Sequence, residues 1–133
     1  MDKELMDFTL TLRKRYTAFS EIFDLTKQLQ EVISRNDTRS VKMIMRDRTR
    51  AMKEAEGINL QLEKIKKELS KEHLAIVEEQ CSVEFAPETL NQQEHMIHTI
   101  YMGTRKVIEK TIELNKMLQQ KFTSSVKGKQ VVK

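Results

Sequence analysis

The sequence predicts an all-α protein with three long helices, of which the first two form an antiparallel hairpin and the third packs along it. Two features of the composition favour this class. Among 133 residues there are only three Gly and one Pro, while charged residues make up 33% of the chain, a balance that is typical of helices. Aromatic residues make up 5% and Trp is absent, which disfavours a core built from sheets. We therefore expect one elongated helical bundle or coiled coil.

The first helix is predicted over about residues 3–34. Its apolar residues recur at spacings of three and four, which places them on one helical face; they begin with Leu5, Phe8, Leu12, Tyr16, Phe19 and Phe23. Asn36 and Asp37 follow this stretch, and side chains of these two types favour turns and helix N-caps. A tight connection at this point would fold the second helix back along the first.

The second helix is predicted over about 38–80, because its apolar residues keep a heptad-like rhythm from Val41 to Ile76. Gly57 lies inside this stretch, where it either permits the close approach of a neighbouring helix or marks a bend. The third helix is predicted over about 87–122, with Pro87 at its first position. Residues 1–122 thus form a single helical domain. Residues 123–133, with three Lys and no apolar periodicity, are expected to be a disordered basic tail.

A basic stripe lies on the second helix. Residues 34–53 contain seven basic and two acidic side chains, a net charge of +5, whereas the whole chain carries +4. Five of the basic residues fall within about 40° of one direction on a helical wheel: Arg39, Lys42, Arg46, Arg50 and Lys53. Such a stripe can follow a phosphate backbone, but this segment has no aromatic residue for base stacking. We expect a solvated stripe, or one facing an acidic partner, and keep nucleic-acid binding as the alternative.

Arg48 departs from this pattern because it lies on the apolar side of the helix, between Met45 and Met52. A buried charge is costly unless it is paired. In an antiparallel hairpin closed at residues 34–37, position 48 faces Asp24 and Glu21. We expect a charge pair between Arg48 and Asp24, or alternatively Glu21, that fixes the register of the hairpin. The other interpretation is that the Arg48 stem packs while its head reaches solvent.

The sequence contains no motif for catalysis, a cofactor or a metal. Glu94, His95 and His98 lie close together on the third helix, but the order and spacing do not match a zinc protease. Cys81 is the only cysteine, so an intramolecular disulfide is excluded and an unreactive thiol is expected. With no signal peptide after Met1, we expect a cytosolic protein, or one exported without the general secretory signal. No apolar run is long enough to span a bilayer, so we expect no membrane span.

The order of the predicted helices, turn and linker along the chain forms a recognisable pattern. An apolar first helix is followed by a short turn with Asp37, a long helix with Arg46 and Arg50, a linker, and a final helix that reads VIEKTIELNKMLQQKF. Over about residues 15–122 this pattern resembles the small flagellar export chaperones of the FlgN/FliT type. In that family the final helix commonly carries two Asn, three or four residues apart, before its last Leu. Here Asn115 and Leu118 match the second half of the motif, and Thr111 stands where the other Asn is found.

The resemblance implies a function. Such chaperones hold the disordered ends of late flagellar subunits, typically the hook–filament junction proteins, keep them monomeric and present them to the export gate. The residues independently favour a binding surface, because apolar side chains on the last helix span an arc too wide for one seam. We expect part of this apolar strip to be exposed and to bind a partner helix; its members are Ile108, Ile112, Leu114, Leu118 and Phe122.

Two alternatives to the chaperone remain open from the sequence. One is a structural coiled-coil protein that binds only a second copy of itself, forming a homodimer. The other is a nucleic-acid-binding protein that uses residues 35–53. The abundance of Met, with eight residues, suits a surface that repacks around partners, although ordinary core filling explains it as well.

Overall fold

The structure is a computed structural model that describes residues 3–82 and 92–132, with side chains as far as Lys121. This part of the chain is almost entirely helical and has no strand, which confirms the all-α class. It contains four helices: α1 over Lys3–Ser34, α2 over Thr38–Glu68, α3 over Lys71–Gln80 and α4 over Gln92–Val132.

The connection between α1 and α2 is built by Asn36 and Asp37. Asn36 has a φ of 59°, a left-handed conformation that Asn tolerates better than most residues. Its N–H donates to Ile33 O and the N–H of Asp37 donates to Val32 O, which together close the end of α1 in a Schellman motif. Asp37 then caps α2, because its carboxylate accepts from the Ser40 N–H over 3.1 Å and from the Ser40 hydroxyl over 2.6 Å. These hydrogen bonds lower the pKa of Asp37. The predicted break at this point is therefore present.

The predicted second helix is not continuous. α2 ends at Glu68, Leu69 and Ser70 adopt extended backbone, and α3 begins at Lys71. Ser70 caps α3 by accepting from the His73 N–H over 3.2 Å. The prediction of one helix over 38–80 was wrong because the apolar rhythm continues through the break, while the competing hydrogen bond of Ser70 ends the helix locally.

The last helix runs from Gln92 to Val132. The predicted start near residue 87, including Pro87, lies outside the described residues. The backbone of α4 continues as helix into residues 123–132, where the sequence predicts a disordered tail, but side chains beyond Lys121 are not described. The division into a domain of residues 1–122 and a basic tail stays a prediction.

Helix α1 packs against both α2 and α4, and α3 packs against α4. One core cluster unites all four helices near the start of α1; its buried members are Leu5, Phe8, Leu12, Leu62, Val77 and Ile97. Charged side chains also join the helices here. The Arg15 Nε donates to Asn59 Oδ1 over 2.8 Å, and His73 contacts Glu4 across α3 and α1. Residues of all four helices therefore meet at this end of the molecule, beside a hollow of about 340 Å³ that Phe8, Leu12 and Leu62 help to line.

The second cluster contains residues of α1 and α2 only. Its buried members are Ala18, Ile22, Ala51 and Ala55, and the small alanines permit a close approach of the two helices. Buried polar residues on α1 and α4 include Thr26 on α1, which is fully buried, and Thr104 and Thr111 on α4. Each of these three hydroxyls donates to the carbonyl four residues earlier in its own helix, so these buried polar groups are satisfied locally.

Candidate functional site

An open apolar groove lies between α2 and α4, with α1 as its floor. Both helices pack on α1, yet few residues of α2 approach α4 closely in the described chain. Two hollows of about 250 Å³ and about 670 Å³ open along this gap. We call them together the α2–α4 groove. Its apolar lining consists of Phe19, Ile22, Leu29 and Ile33 from α1, Val41, Met45, Met52 and Ala55 from α2, and Ile108, Ile112 and Leu118 from α4.

A hydrogen bond crosses the groove at its middle. Arg48 Nη2 on α2 donates to Asn115 Oδ1 on α4 over 2.6 Å. Both residues line each of the two hollows, so the bond stands at the boundary between them. The Nε of Arg48 is shielded from solvent and has no hydrogen-bond partner among the described residues. Partial burial lowers the pKa of the Arg48 guanidinium, because the charged form loses hydration that a neutral amide does not fully replace.

Flexible apolar side chains remain exposed along both walls of the groove. On α2, Met45 is 45% exposed and Met52 is 51% exposed, and on α4 Ile112 is 49% exposed. Met side chains adapt their shape to different partners, and a grouped set of exposed apolar residues is typical of an interaction site. The α2–α4 groove therefore has the lining expected of a surface that receives an amphipathic helix.

The residues of the predicted apolar strip on the last helix differ in burial and in the hollow that they line. Ile108 and Ile112 line one hollow and Leu118 lines the other. Leu118 is only 6% exposed, so it belongs to the core as well as to the α4 wall of the groove. Leu114 is half-buried and does not line either hollow. The side chain of Phe122 lies outside the described residues.

The predicted basic stripe lies on the exposed side of α2. All five of its members, Arg39, Lys42, Arg46, Arg50 and Lys53, are exposed. Three of them, Arg46, Arg50 and Lys53, surround a shallow hollow together with Thr49. This hollow has no aromatic ring in its lining, so the contacts that stack nucleic-acid bases are missing from it.

The structure does not bring Arg48 and Asp24 together as predicted. No ion pair joins Arg48 to Asp24 or to Glu21 in the described part of the chain; Asp24 is exposed, and Arg48 turns toward Asn115 on α4. The sequence drew attention to Arg48 but missed its partner. A signal for Asn115 was present, because it is a polar residue within the apolar arc of the last helix, between Ile112 and Leu118.

Two of the residues considered for metal or thiol chemistry, His98 and Cys81, have structural contacts. His98 Nδ1 donates to the Gln80 carbonyl over 2.9 Å, which joins α4 to the end of α3. Among the described residues, no cluster of three or more potential ligands could hold a metal ion. Cys81 packs against the four-helix core cluster, and burial raises the pKa of its thiol to about 11.

Comparisons with known protein families, with curated proteins and with solved structures found no match. In the described part of the chain, no helix combines the length and the apolar character needed to cross a bilayer.

Proposed function

We propose that this protein is a cytosolic export chaperone that binds the disordered end of a secreted flagellar subunit. The hook–filament junction proteins are the first candidates for this subunit. It prevents premature assembly of that subunit and delivers it to components of the export gate. In this proposal α1 and α2 form an antiparallel hairpin, and α4 packs along α1 to complete the binding surface. The protein acts by binding and has no catalytic role.

The α2–α4 groove is the observation that carries the binding part of the proposal. A gap between two helices with an apolar floor and exposed Met and Ile side chains on its walls suits an amphipathic segment. A partner that is disordered when free would fold on this surface and bury its own apolar face. Such a partner is kept from other contacts as long as it stays bound.

The flagellar part of the proposal rests on the resemblance of the sequence to the FlgN/FliT type. The segment that carries the resemblance, VIEKTIELNKMLQQKF, supplies Ile108, Ile112, Asn115 and Leu118 to one wall of the groove. The residues that suggest the family therefore lie at the surface that suits a partner helix.

Size-exclusion chromatography with light scattering tests this function. The full chain is mixed with each hook–filament junction protein, and a stable heterocomplex is expected. Ile112→Glu places a charge in the groove and should abolish the complex. Met43→Glu is the matched control, because Met43 is an exposed apolar residue of α2 outside the groove lining. Absence of a complex with every junction protein, or equal loss with both variants, contradicts the proposal.

Self-association through the same groove is the second candidate, since a second copy could also cover the exposed residues. Sedimentation equilibrium distinguishes it. A dimer that becomes monomeric with Ile112→Glu but not with Met43→Glu supports the structural coiled-coil function, whereas a monomer at all concentrations excludes it.

A further inference from the structure

The centre of the α2–α4 groove holds the Arg48 guanidinium, which forms no ion pair among the described residues; Glu56 lines one of the two hollows but does not pair with it. The Arg48 guanidinium donates to the neutral amide of Asn115, and its Nε has no partner among the described residues. A purely apolar helix laid over this position would remove the remaining water from the guanidinium. Covering a charge in this way is costly unless the occupant supplies a compensating group.

We propose that the occupant of the groove is an amphipathic helical segment of another protein whose apolar face carries one Asp or Glu at its centre, and that this carboxylate pairs with Arg48. The inference rests on the proposed function and specifies the chemistry of the partner. Arginine suits this contact because its planar guanidinium can bind a carboxylate through two N–H groups. On pairing, the guanidinium rotates from Asn115 toward the partner or shares its donors between the two.

The surroundings of Arg48 determine where the partner's apolar residues lie. The two hollows extend on opposite sides of the Arg48–Asn115 bond. Along α2 the lining runs from Val41 to Asn59, which corresponds to about 27 Å of helix. A helical segment of about 18 residues covers this length. Its carboxylate lies near the middle, with apolar residues one and two turns away on both sides.

Charge argues against the other occupants that the chain itself could supply. The end of the chain, residues 123–133, has three Lys and no acidic residue. A second copy that docked groove to groove would bring its Arg48 against the first Arg48. Arg46, Arg50 and Lys53 lie on the exposed side of α2, outside the groove lining, and add positive charge to the same helix. This charge attracts an acidic segment and repels a basic one over a longer range.

A displayed library of helical peptides tests the proposal. Peptides of about 18 residues carry Leu, Ile and Met on one face, and the central position of that face is randomised. They are selected for binding to the full chain. Asp and Glu are expected to be enriched at the central position. A selected peptide with Glu should bind about tenfold more tightly than its Gln counterpart, measured by fluorescence anisotropy.

Variants of the protein test whether Arg48 causes the preference for Asp or Glu at the central position of the peptide. With Arg48→Glu the preferred central residue should change to Lys or Arg. With Arg48→Met, which keeps a side chain of similar length, the Glu and Gln peptides should bind equally. Arg46→Glu is the matched control on the basic stripe. It should leave the preferred residue at the central peptide position unchanged. Circular dichroism verifies that each variant is folded, and the preference of the unaltered protein decides the question even when a variant fails to fold.

The outcomes separate this inference from the proposed function. Selection of neutral central residues, or a preference for Glu that persists in Arg48→Met, overturns the carboxylate pairing; binding that is still lost with Ile112→Glu then leaves the groove in place. If no selected peptide depends on Ile112, the groove itself is not a binding site and both proposals fail. A dimer that occupies the groove also overturns the inference.

Discussion

The position of Arg48 shows what a single residue can reveal from sequence. Its place among apolar residues marked it as unusual, but its partner depended on helix register. Arg15 bonds Asn59 over 2.8 Å. In the proposed antiparallel hairpin this pairing places position 48 near position 26, about two residues from the register that would bring Asp24 across. Thr26 is fully buried and bonded within its own helix, so Arg48 finds its acceptor on α4 instead.

The buried thiol of Cys81 predicts that the free energy of unfolding falls at high pH. The pKa of its thiol is about 11 in the folded protein, against an ordinary value of 9.0, because burial disfavours the thiolate. The unfolded chain therefore loses this proton first as the pH rises. The stabilising effect is complete below pH 9 and is lost as the pH rises toward about 11. The loss amounts to about 3 kcal/mol at most.

Urea unfolding between pH 7 and pH 10.5 measures this effect when the chain is compared with Cys81→Ala. Other groups titrate in the same range and contribute equally to both proteins. The advantage of the unaltered chain over Cys81→Ala should shrink above pH 9. Two curves that stay parallel would show that Cys81 does not titrate differently in the folded and unfolded states.

At the scale of the helices, the break between α2 and α3 depends on Ser70. Its hydroxyl accepts from the His73 N–H and thereby satisfies one free donor at the start of α3. Ser70→Ala should lower the free energy of unfolding by about 1 kcal/mol, whereas Ser70→Asp should retain most of the stability. Denaturant unfolding followed by circular dichroism measures both. An alanine variant as stable as the parent would mean that packing alone sets this break.

A substitution at Gly57 is expected to increase the stability of the protein, in contrast to Ser70→Ala. The sequence suggested a close approach or a bend at this position, but a Cβ at Gly57 would meet no atom of another helix within 4 Å. The close approach is therefore absent, and α2 continues as helix through the residue. Gly57→Ala should raise the free energy of unfolding by about 1 kcal/mol, because Gly is the weaker helix former.

Gly103 in α4 is the matched control for Gly57. A Cβ at Gly103 would lie 3.4 Å from Cε2 of the Tyr16 ring on α1. The tighter contact there should offset part of the stabilisation that the higher helix propensity of Ala provides. Thermal or urea unfolding should rank Gly57→Ala above Gly103→Ala in stability. The reverse order would indicate that Gly57 has a role that its open surroundings do not reveal.

The two ends of the molecule differ in how many helices share a core cluster. Near the start of α1 the core cluster includes residues of all four helices. Farther along α1, the second cluster joins α1 to α2 only, and the α2–α4 groove opens beside it. We infer that stability is concentrated at the end where all four helices share a core, which leaves the groove side chains free to serve binding.

Two alanine variants test this division. Phe8 is 2% exposed, and Phe8→Ala should lower the free energy of unfolding by about 3–5 kcal/mol. Ile112 is half exposed in the groove, and Ile112→Ala should lower it by less than about 1 kcal/mol. Equilibrium denaturation measures both values. A large loss with Ile112→Ala would mean that the groove is part of the stabilising core.

Local patterns in the sequence determined the helical class, the extent of α1 and the turn at Asn36 and Asp37, because periodicity and backbone capping act within a few residues along the chain. The break at Ser70 was also encoded locally, but a continuing apolar rhythm concealed it. Only the tertiary structure decided that Arg48 meets Asn115, that Leu118 is buried while Ile112 is exposed, and that α2 and α4 stay apart over α1. These features depend on the register and separation of helices distant in sequence, and interhelical packing sets both.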